Sequence, residues 1–140
     1  MKDMDEKFFL CVEIGGTNLR YGVVTKNYTL KEFEKIPSKE LSDAKNKGEY
    51  LKQLLDPVLE EHGGVSNFRC ISLSLASLMD RDRTICYNSP NIRGFDNLPL
   101  KEILERLWGL PVIMERDVNT SLLYDLWKNH MGQEGIVIGV

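Results

Sequence analysis

Apolar runs separated by short polar turns occupy residues 8–36 of the chain. Residues 8–14 are aromatic and β-branched, Gly15 and Gly16 interrupt the run, and strand character resumes over 19–25. Lys26 and Asn27 predict a second turn, before a third strand over about 29–36. Strands joined by such short turns pair as antiparallel neighbours, so the pattern predicts a sheet that opens with a three-strand β-meander.

Helical spacing replaces the strand pattern over about 48–62. Apolar residues recur there at intervals of three and four, at Tyr50, Leu51, Leu54, Leu55, Val58 and Leu59. Pro57 lies inside this segment, which predicts a kink or two helical pieces that meet at the proline. Gly63 and Gly64 are expected to end the element.

The remaining segments alternate strands with helices. We expect a buried strand over 69–75, a charged turn over 80–83, a short strand over 84–87, a loop over 88–99, a helix over 100–108 that ends at Gly109, a strand over 112–114 and a helix from Asp117 to about 130. The apolar run 135–140 resembles the first strand of a further unit. The pattern therefore predicts one domain over 1–134 and the start of a second, truncated domain over 135–140.

Composition and charge narrow the class of protein. Hydrophobic residues make up 42% and charged residues 28%, the balance of a globular domain, and the net charge is −3. This charge gives no electrostatic reason to expect nucleic acid or an anionic membrane as partner, and no apolar run approaches the roughly 20 residues of a membrane-spanning helix. The acidic start lacks the pattern of a signal peptide, so we expect a cytoplasmic protein.

The cysteines and histidines suggest no metal site. Cys11, Cys70 and Cys86 form no CxxC pair and lie in apolar segments, which favours buried, reduced thiols. His62 and His130 are isolated in the sequence, and we expect both on the surface.

The turn at Gly15 and Gly16 is the first candidate for ligand chemistry. Without side chains at these positions, backbone N–H groups can approach an anion closely, and Thr17 and Asn18 add polar donors. Walker and Rossmann loops run from strand into helix, whereas a second strand follows here. A hairpin turn without a ligand fits the glycine pair equally well.

Two further segments, when each is considered alone, need no ligand to explain their sequence. Ser89-Pro90-Asn91 is typical of a turn, and Asp117 is well placed to cap the helix that follows it. Together with the hairpin, however, they form an ordered set. The segment 13–20 resembles the first phosphate-binding hairpin of the ROK family, the sugar kinases and sugar-responsive repressors that share the actin and hexokinase fold. The segments 89–95, 109–112 and 115–119 resemble the later motifs of that family in the same order.

This resemblance implies an α/β fold, an actin-like ATPase (ribonuclease H-like) domain with a mixed sheet that opens with the meander and is flanked by helices. It also implies an ATP-dependent sugar kinase with Mg²⁺ and a hexose as ligands, and leaves a homodimer possible. A structural zinc would belong only to a C-terminal half that this chain lacks, and the 140 residues alone would be inactive. The alternatives are a sugar-sensing regulator of the same family, which would carry a winged helix where only seven residues precede Phe8, and a non-catalytic actin-like domain.

The resemblance also implies roles for individual residues. Asp117 would be the general base, Asn91 and Arg116 would bind the sugar together with Asp117, and the ATP phosphates would be bound by Gly15, Gly16, Thr17 and Asn18. No metal ligand is expected in this chain except an indirect Mg²⁺ contact from Glu13, which replaces the family's usual aspartate. Leu75 and Arg116 also depart from the common pattern, and the sequence Glu-Arg-Asp-Val-Asn over 115–119 looks most like the D-allose kinase branch.

Overall fold

The computed structural model describes residues 7–27, 29–89 and 92–116. In chain order, its main elements are β1 (Phe8–Ile14), β2 (Asn18–Val24), β3 (Leu30–Pro37), α1 (Lys39–Asp43), α2 (Lys47–Glu61), β4 (Phe68–Leu75), β5 (Leu78–Met79), β6 (Cys86–Asn88), α3 (Leu100–Trp108) and β7 (Val112–Arg116). A 3₁₀ turn at Val65–Asn67 precedes β4.

Five strands form one mixed sheet in the order β3-β2-β1-β4-β7. The first three strands are antiparallel neighbours, which confirms the predicted meander. β4 and β7 then extend the sheet parallel to β1, and the short strands β5 and β6 form a separate hairpin. The sheet is therefore built so that β1, β4 and β7 all end at the same edge.

One face of the sheet carries the hydrophobic core. Alternate residues of the strands are buried there, and the apolar sides of α2 and α3 pack into the same cluster. Both helices connect parallel strands, and right-handed crossovers of this kind place them on one face. Trp108 of α3 adds a polar contact between the helices, because its Nε1 donates to Asp56 Oδ1 of α2 at 2.8 Å.

Two helical features differ from the sequence predictions. α2 is a single helix through Pro57 rather than two pieces. Pro57 and Gln53 are both exposed, so the carbonyl that the proline leaves without its usual donor lies on the water-facing side. The prediction also missed α1, because its five residues are too few to show a helical period.

The prediction that His62 lies on the surface is wrong. Its side chain is only 16% exposed. The imidazole packs edge-on against Phe8 at 5.4 Å between ring centres and contacts Phe68, and its Nδ1 lies 2.9 Å from the Val58 carbonyl oxygen. A histidine at the end of α2 therefore fills the gap between this helix and the first residues of β1 and β4. His130 lies outside the described residues.

The three thiols are free, but they differ in burial. Cys86 is buried, whereas Cys11 and Cys70 are half-buried on the sheet face opposite the core helices. In the part of the chain that the structure describes, no helix is long and apolar enough to cross a membrane.

Candidate active site

The carboxyl ends of the three parallel strands bring the predicted motifs to one edge of the sheet. Ile14 of β1 is in register with Leu75 of β4, which is in register with Arg116 of β7. Neighbouring strands lie about 4.8 Å apart, so Ile14 and Arg116 are separated by roughly 10 Å across the sheet. The predicted phosphate hairpin follows Ile14 directly, and Asp117 follows Arg116 directly. Asp117 itself lies outside the described residues.

The hairpin between β1 and β2 is a tight backbone turn. Gly15 N–H donates to the Asn18 carbonyl at 3.0 Å, and a Cβ at Gly15 would lie 3.2 Å from the same oxygen. Gly16 and Thr17 form the exposed tip. This close approach explains why the first position after β1 has no side chain.

Two carbonyl groups of the hairpin, those of Gly15 and Thr17, accept hydrogen bonds from Ser38. Ser38 Oγ donates to the Gly15 carbonyl at 2.6 Å, and Ser38 N–H donates to the Thr17 carbonyl at 2.9 Å. Among the residues 7–27, 29–89 and 92–116, nothing accepts a hydrogen bond from the N–H groups of Gly16 or Thr17. Exposed N–H groups at a turn are suited to binding an anion such as a phosphate group.

Glu13 lies beside the hairpin on the sheet face opposite the core. Arg20 is its cross-strand partner in β2, and Arg20 Nη1 lies 3.3 Å from Glu13 Oε1. Both side chains are between a third and a half exposed, so this ion pair adds little to stability. Its effect is to hold the carboxylate at the end of β1.

Glu115 occupies the corresponding position at the end of β7. Its Oε2 lies 2.7 Å from Arg83 Nε, in the turn between β5 and β6. Asp80 closes that turn, since its carboxylate accepts hydrogen bonds from the Thr84 hydroxyl and from the N–H groups of Thr84 and Ile85. The hydrogen bond from the Thr84 side chain and then that from the Ile85 N–H hold the pKa of Asp80 below its ordinary value. The turn thus holds the Arg83 guanidinium against the Glu115 carboxylate at the end of β7.

The loop after β6 is fixed on both sides of the predicted sugar-binding residue. Ser89 Oγ donates to Ser77 Oγ at 2.7 Å in a buried contact, and Ser89 N–H donates to Asp96 Oδ1 at 3.0 Å. Ile92 and Phe95 are buried in the core cluster. Asn91 lies outside the described residues, so its predicted role remains a prediction.

Lys47 connects this loop to α1. Its ammonium group donates to three backbone carbonyls, those of Leu41 at 2.8 Å, Ser42 at 2.8 Å and Ala44 at 2.7 Å. It also lies over the ring of Phe95, and a Cβ at Gly94 would lie 2.8 Å from its Cε. Burial lowers the pKa of Lys47, an effect that the nearby Asp43 carboxylate opposes.

Sequence reasoning missed both Ser38 and Lys47. Lys47 is the first residue of α2, where the helix dipole disfavours a positive charge, and that anomaly could have singled it out. Ser38 has the residue type of an ordinary helix N-cap, so nothing in the sequence distinguishes it. Arg116, which was predicted to contact the sugar, is exposed at the end of β7, and its N–H donates to Glu115 Oε1 at 3.0 Å.

A second cluster of polar residues lies far from this site. Glu32, Glu61 and His62 bring one potential metal-ligand atom each within 4.8 Å of the others. The cluster is beside Phe8, at the amino end of the parallel strands, and the His62 ring already contacts the Val58 carbonyl. It is therefore separate from the hairpin and the Asp117 motif.

The mixed sheet, its two core helices and the motifs at one strand edge define the N-terminal part of an actin-like ATPase fold, which confirms the predicted fold class. The solved structure of a ROK hexokinase from Thermus thermophilus superposes with a TM-score of 0.71 at 25% identity, covering 89% of this chain and 39% of that chain. The family model described as the ROK family matches residues 9–139. The chain therefore belongs to the ROK family.

Curated relatives of this chain include sugar kinases. A glucokinase from Halalkalibacterium halodurans is 27% identical over 126 residues, which cover 89% of this chain and 38% of the relative. A beta-glucoside kinase from Listeria monocytogenes is 33% identical over 115 residues, which cover 82% of this chain and 36% of the relative. The chain thus spans less than two fifths of the length of these relatives.

Proposed function

We propose that the complete gene product containing this chain is an ATP-dependent hexose kinase. The observation that carries the proposal is the register from Ile14 through Leu75 to Arg116. This register brings the hairpin, whose Gly16 and Thr17 N–H groups have no acceptor among the described residues, and the start of the Asp117 motif to the same edge of one sheet. A phosphoryl donor and an acceptor hydroxyl must meet in this way for transfer between them.

The hairpin supplies the phosphate-binding half of the proposed site. The N–H groups of Gly16 and Thr17 bind phosphate oxygens of ATP, and the side chains of Thr17 and Asn18 add donors at the same tip. Glu13 fits an indirect contact with Mg²⁺, because its carboxylate is half exposed and only Oε1 contacts Arg20 within the described residues. When bound, the cation would neutralise phosphate charge.

The second half of the proposed site binds and activates the sugar. Asp117 accepts the proton of the attacking hydroxyl, a role that requires a carboxylate within hydrogen-bonding reach of that hydroxyl. Asn91 and Arg116 bind further sugar hydroxyls, Asn91 through an amide that both donates and accepts hydrogen bonds. The guanidinium of Arg116 is adjacent in sequence to Asp117 and favours the charged form of that carboxylate.

The substrate we propose is an aldohexose. The similarity to a glucokinase and a beta-glucoside kinase supports this class of sugar. The Glu-Arg-Asp-Val-Asn segment adds D-allose as a candidate, because it looks most like the D-allose kinase branch. Glucose, allose and a β-glucoside therefore form the panel to be tested.

The test is a coupled ADP assay of the complete gene product with Mg·ATP and this panel. We expect Asp117→Asn to lower kcat by about 10²- to 10⁴-fold while sugar binding is retained, as for loss of a general base. The exposed residue Glu60 near the end of α2 gives the control, because Glu60→Gln removes a carboxylate at the amino end of the parallel strands, away from the proposed site. Unchanged turnover in Asp117→Asn would contradict the assignment of Asp117 as the general base.

Two other results would redirect the proposal. Sugar binding by the complete gene product without any ADP formation would indicate a sugar-sensing regulator instead of a kinase. The 140-residue chain alone should bind neither ATP nor sugar tightly, since it corresponds to less than two fifths of its relatives. Phosphorylation of a hexose by this chain alone would contradict that expectation.

A further inference from the structure

We propose that Ser38 is a positioning residue that orients the phosphate-binding hairpin, an inference that rests on the proposed function. Ser38 is fully buried and lies 23 residues from Gly15 in the sequence. It binds both carbonyl groups that flank Gly16, that of Gly15 through its hydroxyl and that of Thr17 through its N–H. One side chain and its own backbone therefore hold the two sides of the hairpin tip.

The hydroxyl of Ser38 does not cap α1, although Ser38 is the N-cap residue of that helix. Ser38 is the N-cap residue of α1, where a serine side chain commonly accepts a hydrogen bond from an N–H of the first helical turn. Here the side chain makes no capping bond and donates instead to Gly15 at 2.6 Å. The contact with the hairpin thus replaces a helix-stabilising bond.

Because a peptide unit is planar, this contact determines the direction of the backbone N–H groups that we propose bind phosphate. The Gly15 carbonyl and the Gly16 N–H belong to the same planar peptide unit and point in opposite directions when the unit is trans. The structure contains no cis peptide bond among the described residues. Fixing the Gly15 carbonyl on Ser38 therefore turns the Gly16 N–H away from α1, toward the exposed tip. The Thr17 carbonyl orients the Asn18 N–H in the same manner.

Ser38 can act in this way because α1 is itself fixed. Leu41 is completely buried beneath the helix. At the start of α1, the Ser38 carbonyl accepts the Ser42 N–H at 2.9 Å. At the end of α1, the ammonium group of Lys47 donates to three carbonyl groups. The hairpin is thus tied to the core through a five-residue helix.

The experiment compares Ser38→Ala with the matched control Ser42→Ala in the complete gene product. Ser42 lies in the same helix and is half-buried, but its hydroxyl does not contact the hairpin. We expect Ser38→Ala to raise the KM for Mg·ATP roughly 5- to 10-fold, the effect of losing one oriented hydrogen bond, and to change the KM for the hexose less than about twofold. Ser42→Ala should leave both values near those of the wild type.

A thiol at position 38 provides a second variant that retains the size of the side chain. Ser38→Cys places a weak donor opposite Gly15, so the KM for Mg·ATP should lie between those of the wild type and Ser38→Ala. This variant decides the case if Ser38→Ala fails to fold. Thermal unfolding of each variant without ligands identifies such a failure.

The outcomes separate this inference from the proposed function. If the wild type phosphorylates a hexose and Ser38→Ala keeps its KM for Mg·ATP within about twofold, the inference is overturned. It is also overturned if the KM values for ATP and hexose rise equally, since that indicates a general structural defect. If no hexose is phosphorylated, the proposed function fails, and ATP affinity measured by calorimetry replaces KM. Equal ATP affinity in wild type and Ser38→Ala, or no ATP binding by the wild type, then overturns the inference.

Discussion

Lys47 Nζ lies 5.9 Å from the centre of the Phe95 ring while it donates hydrogen bonds to three carbonyl groups around the end of α1. The side chain is almost fully buried, with 6% of the residue exposed. A buried ammonium group is stable only when its N–H donors are hydrogen-bonded, and here three carbonyl oxygens accept these hydrogen bonds. Lys47 therefore joins the connection between α1 and α2 to the loop that follows Asn91.

Lys47→Met should destabilise the protein by about 2–3 kcal/mol, because three carbonyl groups, one buried and two partly buried, lose a charged donor. The measurement is the free energy of unfolding in urea at neutral pH. Lys45→Met, two residues earlier and exposed, is the control and should change the same quantity by less than about 0.5 kcal/mol. Equal effects of the two substitutions would show that the contacts of Lys47 are not important for stability.

Gly94→Ala and Gly109→Ala form a matched pair that separates backbone strain from crowding. Both glycines have left-handed φ angles, 82° at Gly94 and 66° at Gly109. A Cβ at Gly109 meets nothing within 4 Å, so only the strain of about 1–2 kcal/mol is expected there. At Gly94 the Cβ would lie 2.8 Å from Lys47 Cε and 3.0 Å from its Nζ, so the loss should be larger.

A double substitution tests whether Lys47 causes this additional loss. In Lys47→Met the side chain is no longer held by three carbonyls and can move away from a new methyl group at position 94. The free energies lost in Gly94→Ala and Lys47→Met should therefore add to more than the loss in the double variant, by roughly 0.5–1 kcal/mol or more. Strict additivity would mean that the two residues do not interact.

The sequence predicted the sheet because each strand carries its own local pattern. The glycine pair after β1 and the helical spacing of α2 and α3 are local in the same way. The contact between Ser38 and Gly15 is different, because it joins residues 23 positions apart through a helix too short to show a period. His62 was misplaced for a related reason, since its burial depends on the rings of Phe8 and Phe68 from other strands.

The candidate site was predictable only in part. The order of the motifs predicted that the hairpin and the Asp117 segment belong to one site. The strands that precede them, β1 and β7, end at the same edge of the sheet, and the place of Asp117 in the site stays a prediction. The sequence could not show that the Glu13 carboxylate contacts Arg20, or that Arg83 contacts Glu115. These contacts depend on strand register and on the turn closed by Asp80, neither of which a single sequence determines.

Cys11 and Cys70 should react slowly with alkylating reagents in the native protein. Burial, and then the nearby Cys70, raises the pKa of Cys11, and burial raises that of Cys70 despite the opposing charge of Arg69. Less reactive thiolate is therefore present near neutral pH than for a free cysteine. Iodoacetamide labelling followed by peptide mass spectrometry should show slower reaction at pH 7.5 in the native state than in urea.

The same pKa shifts have a consequence for stability. In the unfolded state these thiols ionise near the ordinary value of 9.0, whereas in the folded state they hold their protons to higher pH. Since the folded state then binds more protons, the free energy of unfolding should fall as the pH rises above about 9. Cys11→Ser should weaken this dependence, and an unchanged slope would contradict the contribution of Cys11.

Trp108→Phe should make the free energy of unfolding less dependent on pH in the acidic range. Burial alone would raise the pKa of Asp56, but hydrogen bonds from Lys52 and Trp108 outweigh it and lower the pKa below the ordinary 3.8. A carboxylate with a lowered pKa stabilises the folded state above that value, and this stability is lost as the pH falls. Removing the indole donor removes part of the shift.

We therefore expect Trp108→Phe to lose about 1 kcal/mol through this hydrogen bond at pH 7, in addition to a loss from packing that does not depend on pH. The difference in unfolding free energy between wild type and variant should shrink as the pH falls below 3.8, where Asp56 is protonated in both unfolded chains. Tyr50→Phe is the control, because its hydroxyl donates to Glu40 over a longer distance of 3.3 Å in an exposed contact. A Trp108→Phe difference that is the same at pH 3 and pH 7 would show that the indole contributes through packing alone.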